Sequence, residues 1–406
     1  MERSQPFRPR RILHVDVDAM FVQCAVMADP EALTDEALII VGGSPDGRGV
    51  VTSASYGCRA YGVRSAMPTG TALRLCPQAT VVKVPGAMVR QKSGELKAML
   101  QDWAPIAAMA SVDEAYLDLT GTEELYHQEP LDATARRVQA DVKGRTGLDV
   151  SIGGGTNRLV AKLATSLAKP RGVHVVPAGD EDAFVAKLEI GDLIGIGPSF
   201  REALRRRGIS TMSALRALDL QTLESWWGAD RARWLWRRCR GIDEAPIRPH
   251  ESSRSVSSET TFHRDLSDDA ELEDALHGQV VDAAGSLRRH GLFARTITVK
   301  VRDPEFRDRS RSRTLTEGVQ TDRIIFSVAR ELFRDLRRKR GGRVRLIGVG
   351  LSNLRDANDE EQGSFLDIVP PMEGQRDRAL AEVVDRINAR HRGAIGPAAA
   401  LRRRRK

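Results

Sequence analysis

Apolar residues in the first 175 positions alternate with polar ones or form short buried runs, which is typical of a mixed α/β domain. Residues 11–17 predict a strand, and 109–120 predict another that carries acidic residues in its middle. Residues 148–156 predict a strand that enters a glycine turn. Further strands are predicted over 38–41, 50–55 and 173–176, and helices over 69–77, 88–102, 132–145 and 157–168, the last ending at the Lys-Pro-Arg-Gly of 169–172.

The pattern then becomes purely helical from 180 to 240, where glycine turns separate short helices. Residues 245–254 are polar and contain two prolines, which indicates a linker. A second α/β pattern follows. Its predicted strands are 295–302, 312–319 and 343–354, and its predicted helices are 269–290 and 322–338. The acidic segment 356–364 is expected to be mobile. A last helix is predicted over 376–392.

Length and composition are those of a globular protein with several domains. The chain has 406 residues, of which 41% are hydrophobic and 29% charged, so two to four domains are expected. The net charge of +8 suits a polyanionic partner, either a nucleic acid or an anionic membrane surface. A solubilising surface charge is the simpler alternative. The charge by itself favours nucleic acid only slightly.

Cysteine spacing and hydropathy argue against several other classes of protein. The four cysteines form no CxxC pair, so neither a zinc site nor a redox pair is predicted. The N-terminus lacks an apolar signal core, and no stretch reaches the roughly 18 apolar residues of a membrane span. We therefore expect a cytoplasmic protein without a membrane partner.

Acidic residues occur on two predicted strands of the first domain. Asp16 and Asp18 are one residue apart, so they would share a face if the strand stayed regular. Asp113 and Glu114 lie in an otherwise apolar strand, where burial of an acidic pair is costly. One acid on the exposed face and one ion-paired would explain a single pair. Two such strands in a basic protein favour carboxylates that converge on Mg²⁺, the arrangement used in two-metal nucleotidyl transfer.

At these residues the sequence resembles the Y-family, or translesion, DNA polymerases, and within them the bacterial polymerase IV branch. HVDVDAMF at 14–21 and SVDEAYLDLT at 111–120 are similar to the two catalytic motifs of the family. The resemblance covers roughly residues 11–355, with the motifs in order. The other matches are to the fingers at 54–77, the palm at 152–172, the helix-hairpin-helix of the thumb at 192–209, and the little finger at 254–262 and 343–354.

The resemblance implies a catalytic metal site and its ligands. The metal-binding, catalytic carboxylates would be Asp16, Asp113 and Glu114, with the carbonyl of Val17 as a further ligand to two Mg²⁺ ions. Asp18 is not among the matched ligands, and we expect it to be structural, where the strand gives way to a turn.

The resemblance also implies residues that bind the incoming dNTP. Phe21 matches the steric gate that excludes a ribose 2′-OH. Tyr56 and Arg59 match the fingers residues that contact the triphosphate, and Lys169 matches a lysine that reaches it from the palm. Taken alone, Phe21 would be a core aromatic, and each cation a solvated surface charge.

Contacts with primer-template DNA are expected in the helical region and in the second α/β unit. Gly195 and Gly197, between two short helices, would let backbone N–H groups approach phosphates. Arg295, Lys300 and Arg302, on or beside a predicted strand, would bind phosphate without reading sequence. A plain interhelix turn and a solvated sheet face are the alternatives. The four tryptophans at 226, 227, 234 and 236 are expected to form helical core.

The C-terminal tail has two interpretations, one of which adds a sliding clamp as a partner. Residues 362–366, QGSFL, are either a degenerate sliding-clamp peptide or a polar linker, and LRRRRK at 401–406 is expected to be mobile. A monomer is expected.

The resemblance implies an α+β right-hand polymerase fold that carries out low-fidelity, lesion-bypassing DNA synthesis. The expected boundaries are palm 1–21 and 86–175, fingers 22–85, thumb 176–244, linker 245–254, little finger 255–356 and tail 357–406. A catalytically silent DNA-binding scaffold and a nucleotidyl cyclase are the rival functions. The retained acids argue against the scaffold, and the basic helical and second α/β regions argue against the cyclase.

Overall fold

The computed structural model describes residues 9–34, 37–249, 254–339, 341–356 and 373–391. The chain divides into two compact units, Met1–Glu251 and Ser252–Lys406. The predictions for most of 356–364, for the candidate clamp peptide and for the basic run at 401–406 lie outside the described residues. No helix within the described part of the chain is long and apolar enough to cross a membrane.

The first unit is built from eight strands and eleven α-helices among its described residues. Its strands are β1 (Ile12–Val17), β2 (Ile39–Gly42), β3 (Val51–Ala54), β4 (Thr80–Val82), β5 (Ile106–Met109), β6 (Glu114–Asp118), β7 (Val150–Gly155) and β8 (Val173–Val175). Its helices are α1 (Met20–Ala28), α2 (Tyr56–Ala60), α3 (Thr69–Leu75), α4 (Gly86–Gln101), α5 (Leu131–Thr146), α6 (Arg158–Ala168), α7 (Glu181–Ala186), the 3₁₀ turn Ile190–Asp192, α8 (Pro198–Arg205), α9 (Met212–Arg216), α10 (Leu220–Trp227) and α11 (Ala229–Arg238).

A five-stranded sheet, in the order β5-β6-β1-β7-β8, forms the centre of this unit. The central strand β1 pairs antiparallel with both β6 and β7 and is buried along its whole length. Apolar side chains from β1, α4 and α5, among them Leu13, Leu96 and Val138, make the core on one side. Any acid at the end of β1 is therefore fixed by hydrogen bonds to two neighbouring strands.

The predicted strand over 109–120 was wrong in its extent. The segment is a hairpin of β5 and β6, and the intervening residues 110–113 form the turn. Glu114 begins β6, and Asp113 lies in the turn before it. The alternation of 109–120 does not reveal this turn, because small and polar residues suit either conformation.

The glycine turn predicted within 148–156 was also wrong, since Gly153, Gly154 and Gly155 are part of β7. Helix α6 packs directly on these glycines. A Cβ at Gly153 would stand 2.1 Å from the carbonyl oxygen of Ala161 and 2.2 Å from the amide nitrogen of Thr165. The glycines therefore allow a close approach between helix and strand, and do not form a turn.

A small three-stranded sheet, β3-β2-β4, lies with α2 and α3 in the segment predicted as fingers. The helical region that follows packs around buried Phe200, Leu204 and Leu235. Its tryptophans are partly buried against this core, which agrees with the expectation for them. Arginine guanidinium groups lie over their rings, such as Arg240 at 4.0 Å from the Trp236 centroid.

The second unit is a four-stranded antiparallel sheet in the order β11-β10-β12-β9, with two helices on one face. Phe333 of a covering helix and Ile297 and Leu351 of the sheet are fully buried between the layers. The elements are β9 (Ser255–Leu266), α12 (Asp269–Arg289), β10 (Leu292–Arg302), β11 (Asp308–Val319), α13 (Asp322–Lys339), β12 (Val344–Asp356) and α14 (Gln375–Arg390). Strand β9 was not predicted, because its alternating residues are mostly polar.

Candidate active site

Two of the predicted carboxylates face each other across neighbouring strands. Asp16, near the end of β1, is directly opposite Glu114, the first residue of β6. Directly opposite residues of antiparallel strands point to the same face of the sheet. The turn at 110–113 is also held against β1 by a backbone hydrogen bond, since the N–H of Val17 donates to the carbonyl oxygen of Asp113 at 2.9 Å. Backbone pairing thus brings together acids almost 100 positions apart.

Asp16 is buried and paired with a lysine. Its carboxylate lies 2.5 Å from the Lys169 ammonium nitrogen, and the residue is 8% exposed. Burial raises the pKa of Asp16 to about 6, although Lys169 opposes this rise. The charges of Glu114 and Asp113 are smaller contributors to the same rise in the Asp16 pKa. Lys169 therefore holds a carboxylate whose surroundings otherwise favour protonation.

Glu114 lies between a histidine and a second lysine. The His14 ring and the Lys162 ammonium lower the pKa of Glu114 to about 2. His14 Nε2 is 3.8 Å from the Glu114 carboxylate, beyond hydrogen-bond length, whereas Lys162 Nζ is at 2.5 Å. The ion pair with Lys162 is thus the stronger interaction. Burial lowers the pKa of His14, which favours its neutral form.

The third carboxylate, Asp113, accepts a hydrogen bond from the Ser111 hydroxyl. Among the described residues, no three His, Cys, Asp or Glu side chains form a ready-made metal cluster. The carboxylates of Asp16 and Glu114 are instead neutralised by one lysine each. Carboxylate oxygens on adjacent strands are nevertheless the hard ligands that Mg²⁺ prefers, so the chemistry of the donor set fits a divalent ion.

Asp18 belongs to a different set of contacts from Asp16. Strand β1 ends at Val17, and Ala19 has a left-handed backbone with φ of 45°. The regular strand that would place Asp16 and Asp18 on one face is therefore absent at this point. The Asp18 carboxylate accepts hydrogen bonds from the Tyr56 hydroxyl, the Ser151 hydroxyl and the Arg171 amide.

The predicted triphosphate-binding residues of the fingers segment lie on the short helix α2. Ser55 caps this helix by accepting a hydrogen bond from the amide of Cys58. The Arg59 guanidinium lies 4.7 Å from the centre of the Tyr56 ring and donates from Nε to the Ala54 carbonyl. Burial, with the hydrogen bond to Asp18 as a second cause, raises the pKa of Tyr56, so its phenol stays protonated.

A cavity of about 220 Å³ opens beside these residues. Asp18 and Tyr56 line it, together with Pro170 and Arg171, which directly follow Lys169. Phe21, the predicted steric gate, is the second residue of α1 and is partly buried against two neighbouring cores. The structure therefore brings the segments that carry Tyr56 and Lys169 to one cavity.

The two glycines predicted to contact DNA have different surroundings. Gly195 has φ of +99°, and a Cβ there would stand 2.4 Å from Trp234 Cζ2. Internal packing alone thus requires this glycine. Gly197 is the N-cap of α8, and a Cβ there would meet none of the described heavy atoms within 4 Å. Its backbone is open to a ligand.

The predicted DNA-binding cations of the second unit are engaged in intramolecular contacts. Lys300 is 2.6 Å from Glu259, and Arg302 makes a two-pronged ion pair with Asp308. Both point away from α12 and α13, since alternate residues of β10 are buried beneath the helices. Arg295 lies at a register shift of β10 and donates to the carbonyl of Leu315.

Sequence reasoning missed His14, Lys162 and Ser151. Lys162 could have been noticed as a second cation near Lys169, because it lies on the predicted helix 157–168 that directly precedes Lys169. Ser151 lies on β7 and reaches Asp18 only because β7 pairs with β1. No spacing in the sequence indicates that contact.

Comparison with known proteins is consistent with this geometry. Residues 15–166 match the impB/mucB/samB family, 253–365 match the C-terminal domain of that family, and 191–243 match the thumb domain of DNA polymerase iota. DNA polymerase IV of Alkalilimnicola ehrlichii is 38% identical over 346 residues, which is 85% of this chain and 95% of the relative. DNA polymerase IV of Caulobacter vibrioides is 36% identical over 390 residues, which is 96% of this chain and 93% of the relative.

Solved structures show the same fold. A Y-family DNA polymerase chimera of Dbh and Dpo4 superposes with a TM-score of 0.75 at 23% identity, covering 85% of this chain and 99% of the chimera. DinB from Sulfolobus solfataricus superposes with a TM-score of 0.57 at 23% identity, covering 84% of this chain and 98% of DinB. The fold is thus the predicted α+β polymerase fold. The chain belongs to the impB/mucB/samB family of Y-family DNA polymerases and is a DNA-directed DNA polymerase.

Proposed function

We propose that this enzyme transfers a dNMP from a dNTP to a primer 3′-OH, directed by a template, and that it copies damaged DNA with low fidelity. The observation that carries the proposal is the pairing of Asp16 with Glu114 across β1 and β6, with the Lys169 ammonium 2.5 Å from the Asp16 carboxylate. The proposed substrates are primer-template DNA and dNTPs. A neighbour of the same fold is titled an insertion ternary complex of Dbh DNA polymerase, which supports this choice.

Enzymes of this family are metal-dependent, and we assign two Mg²⁺ ions to Asp16, Asp113, Glu114 and the Val17 carbonyl. Bound there, the ions would activate the attacking 3′-oxygen and neutralise the charge that develops on the phosphate. The protein would position these charges and hold the triphosphate through Tyr56, Arg59 and Lys169. Arginine suits this task because its guanidinium binds phosphate oxygens bidentately.

The remaining assignments follow from the resemblance. Phe21 would select the deoxyribose, and Gly195, Gly197, Arg295, Lys300 and Arg302 would contact DNA. The domain boundaries, the clamp contact through the tail, the monomeric state and the cytoplasmic location stay predictions.

Primer extension tests the proposal directly. Glu114→Gln should lower kcat/KM by a factor on the order of 10³, because a catalytic metal supplies several kcal/mol of charge stabilisation. Asp118→Asn is the matched control: it alters the same strand and also breaks an ion pair, that of Asp118 with Arg10 at 2.9 Å. The control should extend primers as the wild type does.

DNA affinity separates the rival functions. Duplex binding without extension by the wild type would favour a silent scaffold. Extension that survives Glu114→Gln would contradict the metal assignment, and cyclisation of a nucleotide without primer extension would favour a cyclase.

A further inference from the structure

Asp18 is a buried acid whose carboxylate is held by several hydrogen bonds. The residue is 4% exposed, and its carboxylate accepts three donors at 2.8 to 3.0 Å. The donors are the Tyr56 hydroxyl of α2, the Ser151 hydroxyl of β7 and the backbone amide of Arg171. A buried carboxylate is stable only when such donors are held in place, so these bonds constrain the segments that supply them.

Two of those segments carry residues assigned to the triphosphate. Tyr56 is itself one of them, and Arg171 follows Lys169 by two positions. Lys169 is also tied to Asp16 at 2.5 Å. The end of β1 thus fixes the segment 169–171 at two points, through Asp16 and Asp18, and fixes α2 at a third.

The same bonds lie on the wall of the cavity described above. Asp18, Tyr56 and Arg171 all line it. The hydrogen bond from Tyr56 to Asp18 crosses from α2 to the turn that directly follows β1, so it joins the small three-stranded part of the unit to one end of the central sheet.

We propose that Asp18 is a positioning residue for nucleotide binding, which holds Tyr56 and the segment 169–171 in the arrangement that receives the dNTP triphosphate. The inference rests on the proposed function, since it takes Tyr56 and Lys169 as triphosphate contacts. Asp18 itself acts through these residues and is not a ligand of the substrate.

The direction of the change in KM distinguishes a positioning role of Asp18 from a purely electrostatic one. A negative carboxylate beside the cavity repels a triphosphate, so removal of the charge alone would tighten dNTP binding and lower KM. Loss of a positioning contact has the opposite effect, because ground-state contacts to the triphosphate weaken. Asp18→Asn keeps the size of the side chain but replaces one acceptor oxygen with an amide donor.

The experiment measures single-nucleotide insertion by the full-length enzyme with Asp18→Asn. We expect KM for the dNTP to rise about tenfold with a smaller change in kcat, and unchanged affinity for primer-template DNA. Asp149→Asn is the matched control. It removes a charge from the same cavity wall, and none of the described hydrogen bonds joins its carboxylate to Tyr56 or Arg171. The control should keep KM at or slightly below the wild-type value.

A double-mutant cycle with Tyr56→Phe tests whether the effect of Asp18 on KM depends on the Tyr56 hydroxyl. If Asp18 acts through the Tyr56 hydroxyl, Asp18→Asn should raise KM less in the Tyr56→Phe background than in the wild type. An equal factor in both backgrounds would overturn the part of the inference that runs through Tyr56. An unchanged or lowered KM for Asp18→Asn, or a loss of kcat and DNA affinity at constant KM, would overturn the whole inference.

A second variant tests the same inference. If Asp18→Asn does not fold, Ser151→Ala removes one of the three donors, and it should raise KM about threefold; an unchanged KM would overturn the inference. A wild-type enzyme that fails to extend primers would overturn the proposed function and this inference together. Normal extension by a wild type whose variants keep its KM would overturn only the inference.

Discussion

At the scale of single residues, the acids of the site differ in what compensates their charge. Asp16 and Glu114 are each paired with a lysine at 2.5 Å, while Asp18 is surrounded by neutral donors. Ammonium groups can exchange for divalent ions without changing the sign of the local charge. Neutral donors make no such exchange. This difference agrees with the assignment of Asp16 and Glu114 to metal and of Asp18 to positioning. The assignment of Asp113, which is hydrogen-bonded to the Ser111 hydroxyl, rests on the family resemblance alone.

Sugar selection is decided by a single residue in this scheme. Phe21→Ala should raise the efficiency of rNTP insertion relative to dNTP insertion by about ten- to a hundredfold, because the smaller side chain leaves room for a 2′-OH. The ratio of kcat/KM values for matched ribo- and deoxyribonucleotides measures this.

The control for Phe21→Ala is Phe306→Ala, the same substitution at an exposed aromatic of the second unit. An unchanged ratio at Phe21, or an equal rise at both positions, would contradict the gate assignment.

At the scale of elements, close packing and buried acids fix how helices lie. Helix α6 approaches β7 so closely because Gly153 has no side chain, and this helix delivers Lys162 to Glu114 and leads into Lys169. Helix α14 is fixed differently. It follows Glu373, which is 3% exposed and accepts hydrogen bonds from the Gln320 and Thr321 amides at the start of α13.

Helix α14 extends beyond the last residue, 365, that matches the family. Besides Glu373, it is held by Asp385, which pairs with the buried Arg288 of α12 at 2.6 Å. The predicted helix over 376–392 is thus confirmed, and it packs on the second unit as an additional element.

The buried Glu373 should therefore contribute to the stability of the second unit. Glu373→Gln leaves an amide N–H facing backbone donors, so we expect a loss of roughly 2–3 kcal/mol in the free energy of unfolding of that unit. Calorimetry of the full-length protein measures it. The control Glu382→Gln, at an exposed position of α14, should cost less than about 0.5 kcal/mol. Equal stability of the two variants would contradict the role of Glu373.

At the scale of the whole molecule, the net charge of +8 falls mostly on the second unit, which holds 31 Lys and Arg against 24 Asp and Glu, whereas the first unit holds 32 against 31. The helical region 199–240 alone holds ten Arg against four Asp and Glu. On the second unit, Lys300 and Arg302 lie on the sheet face that α12 and α13 leave uncovered, although both are paired with acids. DNA phosphates would have to compete with these acids.

Binding of duplex DNA should weaken steeply with salt, because phosphate neutralisation releases counterions. We expect Arg302→Ala to reduce the slope of log K against log salt by about one. Fluorescence anisotropy over a salt series measures this slope. Arg334→Ala is the control, since Arg334 is an exposed, ion-paired arginine on helix α13. The same slope for wild type and Arg302→Ala would remove Arg302 from the DNA-binding surface.

The amino-acid sequence determined most of the elements and the family. Strong periodicity located β1, α5, α6, α12 and α13 within a few residues, because each buries one regular face. Through their resemblance to the family, the ordered motifs predicted the acids at 16, 113 and 114 and the cations at 59 and 169 as site residues. Local periodicity is enough for the elements, whereas the family and the site residues came from the resemblance of the motifs.

How the acids are held, and which residues support them, follows from contacts between distant parts of the folded chain. Strand pairing placed Glu114 against Asp16, and helix packing against Gly153 brought Lys162 to that pair. The three donors to Asp18 come from segments up to 153 positions away. Such contacts depend on which strands pair and how closely helices approach, and these are properties of the folded chain that local periodicity does not encode.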